Sequence, residues 1–197
     1  MAQWVDSTTV RSYGFRMGTL TIELPARKDQ MEFNERRWAE LLADSELAKF
    51  EGRIETDRHG HIIMTPPPAA RHGILQFELA YQLRIRIPNG RVLTECPVST
   101  ADGVKGADVA WASAETMQAL GERGSFPRAP DVCVEVLSPS NTDAEIKEKT
   151  ALYFDAGARE VWICADSGAV TFLRGSDPTP LPSSTIFVDF PSQIVLV

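Results

Sequence analysis

The 197-residue sequence predicts an α/β or α+β domain in which a few helices cover a sheet. Two observations lead to this fold class. Hydrophobic residues make up 43% of the chain and charged residues 24%, which is typical of a globular protein and excludes an intrinsically disordered one. Segments with strand-like composition cluster along the chain, and segments with helical spacing interrupt them. The length suits one domain with a hydrophobic core, or one domain with an appendage.

The N-terminal segment, residues 1–30, is predicted to be an arm or an edge strand, and residues 31–197 the main domain. Within the arm, Thr19–Leu24 has the composition of a strand, and Pro25–Gln30 is typical of a linker. Phe33–Lys49 then has helical spacing. The apolar positions of this helix are Trp38, Leu41, Leu42 and Leu47.

A hairpin and an amphipathic helix are predicted next. Arg53–Asp57 and His61–Met64 read as strands that turn at Arg58-His59-Gly60. Three prolines follow the hairpin, and Ala69–Arg86 has the spacing of an amphipathic helix. Its apolar set, which should face the core, is Ile74, Phe77, Leu79, Tyr81, Leu83 and Ile85.

The middle of the chain predicts three strands and a short helix. The first two strands are Arg91–Glu95 and Asp108–Ala112. Ser113 should cap a helix that ends near Gly121. Asp131–Leu137, with the sequence DVCVEVL, is the most apolar strand, and apolar residues on both of its faces predict a central strand covered on both sides.

The C-terminal part predicts one helix and further strands. Thr142–Glu145 has the pattern of a capping box and opens a helix that should end at Gly157. A proline-rich loop, Asp177–Pro182, precedes the last predicted strand. The strands of this part are predicted at Glu160–Cys164, Ala169–Leu173 and Ile186–Phe190.

The charge balance limits the class of partner. Twenty Lys and Arg residues against 27 Asp and Glu residues give a net charge of -7. A protein that holds nucleic acid through bulk charge is basic, so this balance argues against a non-specific DNA coat and counts against a nuclease. It leaves open a local basic groove, or a site where metal ions meet the phosphates.

Composition also bears on the compartment. No run approaches the ~18 apolar residues of a membrane span, and Met1–Asp6 lacks the basic start and apolar core of a signal peptide. Cys96, Cys133 and Cys164 are odd in number and widely separated. We therefore expect free, buried thiols in a reducing cytoplasm rather than a disulfide or a zinc site, and no contact with a membrane.

Two carboxylates occupy positions that need an explanation. Glu135 lies in the most apolar strand, where a lone carboxylate costs several kcal/mol unless it is paired, protonated or bound to a metal. The alternative is that Glu135 lies near the end of its strand and forms a salt bridge with an arginine. Asp108 opens a strand, where aspartate is usually a turn residue, and it gains significance only beside Glu135.

Lys149 is a third polar residue in an apolar setting. At 100° per residue it lies about 60° from Ile146, inside the apolar arc of its helix. A lysine on a buried face is unusual. The alternative is a snorkelling lysine whose stem covers the core, and its position alone does not decide between the two interpretations.

Two carboxylates on neighbouring strands and a lysine on the next helix form a recognisable chemical set. Carboxylate oxygens are hard ligands that suit Mg²⁺ or Mn²⁺. Such an ion lowers the pKa of a bound water and holds phosphate oxygens, while a lysine orients the water and stabilises charge on phosphorus. The set therefore favours metal-dependent hydrolysis of a phosphodiester.

These motifs resemble a known family. Pro130–Asn141, Lys149–Tyr153 and Gly157–Ile163 are similar to segments of the large bacterial family of putative restriction endonucleases in the PD-(D/E)XK nuclease superfamily. Ile62–Pro67, with His72 after it, and Lys105–Trp111 resemble earlier segments of the same family more weakly. The resemblance extends from about Phe33 to Phe190.

The resemblance implies a restriction-endonuclease-like α/β core, with a central mixed sheet flanked by helices on both faces. It implies that Asp108 and Glu135 bind Mg²⁺ or Mn²⁺ and that Lys149 positions the attacking water in the hydrolysis of DNA. Leu137 stands where the superfamily motif has its lysine, and Lys149 takes that role from the helix, as is common in the family. Ala107 and Arg71 also depart from the family pattern, which more often has proline and an acid there.

The sequence also predicts accessory residues and partners. His72, Glu78 and Tyr153 are candidate accessory residues, and Tyr153 is expected to pack rather than to act. We expect weak, salt-dependent DNA binding and a homodimer held by the apolar N-terminal arm, because a single site cuts only one strand of a duplex. The candidate DNA contacts are Arg71, Arg84, Arg86 and Arg91.

Two other functions stay open from the sequence. One is a binding or assembly module that keeps the fold without catalysis, which the net charge of -7 favours slightly. The other is a different hydrolase that uses paired carboxylates, for instance on a glycoside. That enzyme would act without added metal, and a lysine on the buried face of the helix makes it less attractive.

Overall fold

A computed structural model describes residues 11–14, 19–22, 27–87, 89–139, 141–175 and 177–196. Its α-helices are α1 (Arg27–Ala43), α2 (Ala70–Arg86), α3 (Ala114–Leu120) and α4 (Asp143–Asp155), with a short 3₁₀ helix at Leu47–Lys49. Its strands are β1 (Arg11–Gly14), β2 (Thr19–Ile22), β3 (Arg53–Thr56), β4 (Ile62–Thr65), β5 (Arg91–Thr100), β6 (Gly103–Ala112), β7 (Val132–Val136), β8 (Glu160–Cys164), β9 (Val170–Arg174) and β10 (Asp177–Leu181).

Six of these strands form a mixed sheet in the order β10-β9-β8-β7-β6-β5. Strands β7 and β8 pair in parallel, because α4 connects them as a crossover, and the other neighbours pair antiparallel. The hairpins β1–β2 and β3–β4 are separate two-stranded sheets, and β3 lies beside β6. The predicted fold class, a central mixed sheet flanked by helices, is confirmed.

The central strand β7 is covered on both faces, as its sequence predicts. Val134 packs in a core that α2 covers, together with Trp162 and the C-terminal segment. The next residue back, Cys133, packs in the opposite core with Tyr153 of α4. Alternate side chains of a strand point to opposite faces, so the two cores lie on the two sides of one sheet.

Several local predictions are confirmed. The β3–β4 hairpin turns at residues 58–60, and the Ser113 side chain accepts a hydrogen bond from the Thr116 amide. Thr142 and Glu145 form the capping box of α4, and Gly157 follows that helix with a φ of 104°. The three cysteines are free and buried. Among the described residues, no helix is long and apolar enough to span a membrane.

The predicted linker at Pro25–Gln30 is wrong from Arg27 onward, because α1 begins there. The apolar pattern of the sequence did not predict the first turns of α1, because the buried face there is polar. Gln30 donates to the Arg58 carbonyl at 3.0 Å, and Asn34 donates to the Ser99 hydroxyl at 2.9 Å. The helix also ends at Ala43, earlier than predicted.

The predicted buried face of α2 is confirmed for Leu79 and Leu83 and is wrong for its other four residues. Leu75, Leu79 and Leu83 face the core and are fully buried. Four large apolar side chains point outward instead, and Phe77 is 64% exposed. We call these four residues the outer face of α2: Ile74, Phe77, Tyr81 and Ile85.

The ends of the chain also differ from expectation. The last strand is Asp177–Leu181, inside the predicted proline-rich loop, and Ile186–Phe190 is not a strand. Its aromatic residues reach the core from an irregular segment, since Phe187 and Phe190 pack around Trp162. At the N-terminus, Thr19–Ile22 pairs with β1, and residues 1–10, 15–18 and 23–26 of the predicted arm lie outside the described residues.

Candidate active site

Glu135 is buried in β7 with its charge matched from α4. The residue is 4% exposed, its Oε1 accepts a hydrogen bond from the Tyr153 hydroxyl at 2.7 Å, and its Oε2 lies 3.0 Å from the Lys149 Nζ. Burial raises the pKa of Glu135 to about 7; Lys149 opposes this rise, and the charge of Asp108 adds to it. Its ion pair is therefore with a lysine, not with the arginine that the alternative interpretation required.

Asp108 lies on the neighbouring strand β6 and is 1% exposed. Its Oδ2 accepts a hydrogen bond from the Val136 amide at 2.6 Å, which joins it to β7. Its Oδ1 accepts a hydrogen bond from the Arg53 guanidinium and lies 3.4 Å from the His72 Nε2. Although burial alone would raise it, His72 and Arg53 lower the pKa of Asp108 to about 2, so the group is ionised at neutral pH.

Strands β5 and β6 are irregular where Glu95 and Asp108 lie opposite each other. The register pairs Thr94 with Val109 and Cys96 with Ala107, so Glu95 stands opposite Asp108. Glu95 has a φ of 50°, a left-handed conformation that non-glycine residues rarely adopt. Residues two apart on a regular strand point to the same face of the sheet, but Val109 packs in the core under α2 and Ala107 in the core under α4. The side chains of β6 therefore change sides of the sheet at Asp108. This switch turns the Asp108 carboxylate toward β3 and α2.

Lys149 brings its ammonium group into the same cluster. The Nζ lies 2.8 Å from the Gly106 carbonyl, 3.0 Å from the Glu135 carboxylate and 3.1 Å from the Glu55 carboxylate. Burial alone would lower its pKa, but Glu135 and Glu55 raise it, so Lys149 is a cation at neutral pH. Because the charged end is enclosed, the snorkelling interpretation does not describe this residue.

Two residues of β3 belong to the cluster and were not predicted. Arg53 forms a two-pronged ion pair with Glu95, at 2.7 and 3.0 Å, and also contacts Asp108. Glu55 accepts the Gly106 amide at 2.8 Å and pairs with Lys149. Residues 53 and 55 share one face of a strand, which is the available signal, but only the packing of the hairpin on β6 buries that face.

The accessory candidates separate into two groups. His72 lies beside Asp108, whose carboxylate raises the pKa of His72 against the effect of burial, and its two buried ring nitrogens make no geometrically good hydrogen bond within the described part of the chain. Tyr153 is fully buried and donates to Glu135, so it does more than pack. Glu78, in contrast, forms no hydrogen bond or ion pair with these groups among the residues described.

The predicted DNA-contacting arginines are not gathered at the cluster. Arg71, at the start of α2, forms an ion pair with Asp166. Arg86, at its other end, donates to the Asp189 carbonyl and lies over the Phe190 ring. The helix has 17 residues, so these two positions are roughly 20 Å apart. Arg91 lies at the start of β5, and Arg84 near the end of α2.

The donor set suits a hard divalent cation in its chemistry. Asp108 and Glu135 supply buried carboxylate oxygens on adjacent strands, and such oxygens are the ligands that a hard divalent cation prefers. Over residues 27–196, where the structure describes them, no three His, Cys, Asp or Glu side chains are already arranged to hold a metal. Asp108 and Glu135 would therefore bind an ion only with some rearrangement of their cationic partners.

Comparisons with known proteins agree with this architecture. A family model described as Uma2, putative restriction endonuclease, matches residues 39–186. No curated protein matches the chain. Among solved structures, a putative nuclease belonging to DUF820 from Anabaena variabilis ATCC 29413 is 20% identical, with a TM-score of 0.56. That match covers 64% of this chain and 74% of the other, and at this identity it shows the fold.

Proposed function

This chain belongs to the Uma2 family of putative restriction endonucleases, and we propose that it is an endonuclease that hydrolyses DNA phosphodiester bonds with a divalent metal ion. The observation that carries the proposal is a buried pair of carboxylates, Asp108 and Glu135, on adjacent strands with the Lys149 ammonium beside them. Such a pair is costly to bury, and buried ionic groups can often be replaced by apolar residues without loss of stability, which favours a functional reason for it.

We infer the following roles. Asp108 and Glu135 hold Mg²⁺ or Mn²⁺, with Glu55 close by on the same lysine. A bound ion of this kind lowers the pKa of a water ligand and neutralises phosphate oxygens. Lys149 donates to the attacking water and stabilises charge on the phosphorus, and its raised pKa keeps it a donor. Tyr153 fixes the rotamer of Glu135, which makes it a positioning residue.

The second candidate is a DNA-associated module on the same fold without catalysis. The net charge of -7, which counts against a nuclease, favours it slightly. Both candidates predict weak, salt-dependent binding to duplex DNA, with Kd of ~10⁻⁴ to 10⁻⁶ M for non-specific sites. Only the first predicts a metal-dependent cut.

A plasmid-nicking assay with Mg²⁺, with Mn²⁺ and with EDTA tests the proposal. The parent should nick supercoiled DNA only with metal, and Glu135→Gln should not nick. Glu148→Gln is the matched control, since Glu148 is an exposed glutamate on α4 with the same change of charge. Equal nicking by parent and Glu135→Gln, or nicking in EDTA, would contradict a metal site at Glu135.

We also infer that the acting form is a homodimer, because a duplex presents two strands and one site cuts one of them. The outer face of α2 offers an apolar surface for a second copy, and Phe77 stacks on Tyr81 there with 6.3 Å between ring centres. A pair of identical chains related by a two-fold axis would bring the same face from each copy together.

A further inference from the structure

Arg53 is placed so that it holds two carboxylates at once. Its Nε and Nη2 form a fork on Glu95, and Nη2 also reaches Asp108 Oδ1. Its Nη1 donates to the Gly106 carbonyl at 3.3 Å. A guanidinium stays charged at any pH at which the protein is folded, so this side chain is a permanent cation on the carboxylate proposed to bind metal.

We propose that Arg53 competes with the divalent ion for Asp108, and that Glu95 holds the guanidinium when the ion takes its place. The inference rests on the metal site proposed above, and it concerns a residue outside the three predicted catalytic groups. Arg53 would thereby set the affinity of the site for metal, rather than take part in the chemistry.

The two oxygens of Asp108 are not equivalent. Oδ2 accepts the Val136 amide at 2.6 Å, which fixes the carboxylate to the neighbouring strand. Oδ1 is the oxygen that contacts Arg53, and it lies 3.4 Å from the His72 Nε2. An ion and a guanidinium on the same oxygen would repel each other strongly, because a buried site screens charge poorly.

Glu95 provides a second binding partner for the displaced group. Its side chain is 48% exposed and accepts hydrogen bonds from Arg53 on both carboxylate oxygens. Gln76 donates to the same Glu95 carboxylate at 2.8 Å and to the Asp108 backbone carbonyl at 2.9 Å, which keeps Glu95 close. The guanidinium can therefore turn away from Asp108 without losing its charge partner, and returns when the ion leaves.

Binding of Mn²⁺ to the full chain, without DNA, tests this competition by titration calorimetry or by loss of the free-ion electron paramagnetic resonance signal. Arg53→Gln should bind Mn²⁺ about tenfold more tightly than the parent, as expected for losing one competing cation. Arg58→Gln is the matched control, because Arg58 lies at the turn of the same hairpin and pairs with Asp102 at 2.9 Å. Both variants change the net charge equally, and Arg58→Gln should keep the parent's affinity.

A second readout does not depend on affinity alone. In EDTA, Arg53→Gln should melt below the parent, because Asp108 loses a charge partner in a buried position. On addition of Mn²⁺ its melting temperature should rise by more than that of the parent. If Arg53→Gln is unfolded in EDTA, Glu95→Gln tests the competition instead. Glu95→Gln should bind Mn²⁺ several-fold more weakly than the parent, because Arg53 then stays on Asp108.

The outcomes separate the two proposals. If the parent binds Mn²⁺ and Arg53→Gln binds it equally or more weakly, Arg53 does not compete and the metal site itself stands. An unchanged affinity in Glu95→Gln would contradict the competition in the same way. If neither the parent nor Arg53→Gln binds Mn²⁺, both the competition and the metal-dependent function are wrong.

Discussion

One face of α4 supplies both partners of the buried Glu135. Lys149 and Tyr153 are four residues apart, so they project from the same side of the helix one turn apart. The capping box at Thr142 fixes where α4 begins, and hence where these two groups meet β7. The position of the cluster thus depends on a local signal that is readable in the sequence.

The sequence was sufficient to find some members of this cluster and not others. Glu135 and Lys149 were recognised as polar residues in an apolar context, and Asp108 only through its relation to Glu135; the structure places the three in one cluster. Arg53 and Glu55 lie in a short hairpin whose composition suits a solvent-exposed strand. Their burial comes from packing against β6, a long-range contact that no local pattern encodes.

Lys149→Ala should lower the rate of nicking by about 10²-fold or more, while Mn²⁺ binding remains. A protonated lysine is not a ligand of a hard cation, but its loss removes the group proposed to orient the water. The variant should also unfold more easily in EDTA, because Glu135 and Glu55 lose their shared cation. Lys147→Ala, on the exposed side of α4, is the control and should nick like the parent.

Glu135→Gln should change stability little in EDTA, by about 1 kcal/mol or less at pH 7. The amide oxygen can still accept from Tyr153, and Lys149 keeps its contacts with Glu55 and Gly106. The parent should gain stability with Mg²⁺ or Mn²⁺, because only the folded chain assembles the ligands, and the variant should gain much less. Thermal melts of both proteins with and without metal measure this.

A different result would reassign the residue. If Glu135→Gln is strongly destabilised in EDTA and neither protein responds to metal, Glu135 is a structural partner of Lys149. The proposed metal site would then be wrong at its central residue, whatever the fold of the chain.

At the scale of elements, segments that begin at a turn or capping residue were predicted more reliably than the buried face of α2. The hairpin β3–β4 and helix α4 were predicted from turn and capping residues, which act locally. The face of α2 was not, because Ile74 and Phe77 are as apolar as the leucines that are buried. Hydrophobicity alone cannot rank two apolar stripes on one helix; the packing partner decides.

The C-terminal segment shows a second kind of element that patterns miss. Glu160 of β8 is fully buried and accepts hydrogen bonds from the Ser184 hydroxyl at 2.7 Å and from both the amide and the hydroxyl of Thr185, at 2.7 and 2.6 Å. The Trp162 indole also donates to it at 2.8 Å. A carboxylate, and not strand pairing, holds residues 184–186 against the sheet.

Glu160→Gln should therefore destabilise the protein by about 2–3 kcal/mol at pH 7, because an amide cannot accept from all of these donors. Burial would raise the pKa of Glu160, but the hydrogen bonds from Thr185 and Ser184 outweigh it and lower the pKa. With a lowered folded-state pKa, the stability that this ionised group provides is present above the unfolded value and is lost as pH falls through the folded one.

Urea unfolding at pH 7 and in steps down to pH 3 measures that difference. The gap between the parent and Glu160→Gln should be largest at pH 7 and shrink below about pH 4. Glu148→Gln, at an exposed position, should show no such gap. A gap that does not depend on pH would mean that the shape of the side chain, and not its charge, holds the C-terminal segment.

At the scale of the whole molecule, the outer face of α2 is the largest apolar feature left without a partner among the described helices. Its four side chains are each about half exposed or more, and expose roughly 400 Å² together. A stable interface needs about 800 Å² per partner, so this face supplies about half of one. The N-terminal arm, which is rich in apolar residues, is predicted to supply the remainder.

Phe77→Asp should therefore convert a homodimer into a monomer. A two-fold axis across α2 would bring Phe77 of each copy into the contact, so one substitution places two buried charges in the interface without disturbing the core beneath. Val188→Asp is the matched control, since Val188 is 68% exposed and lies outside α2. Sedimentation equilibrium should give twice 21.7 kDa for the parent and the control, and 21.7 kDa for Phe77→Asp. A cooperative melting curve for Phe77→Asp should show that this variant is folded. A parent that sediments as a monomer at high concentration would contradict the dimer, and a dimeric Phe77→Asp would place the interface elsewhere.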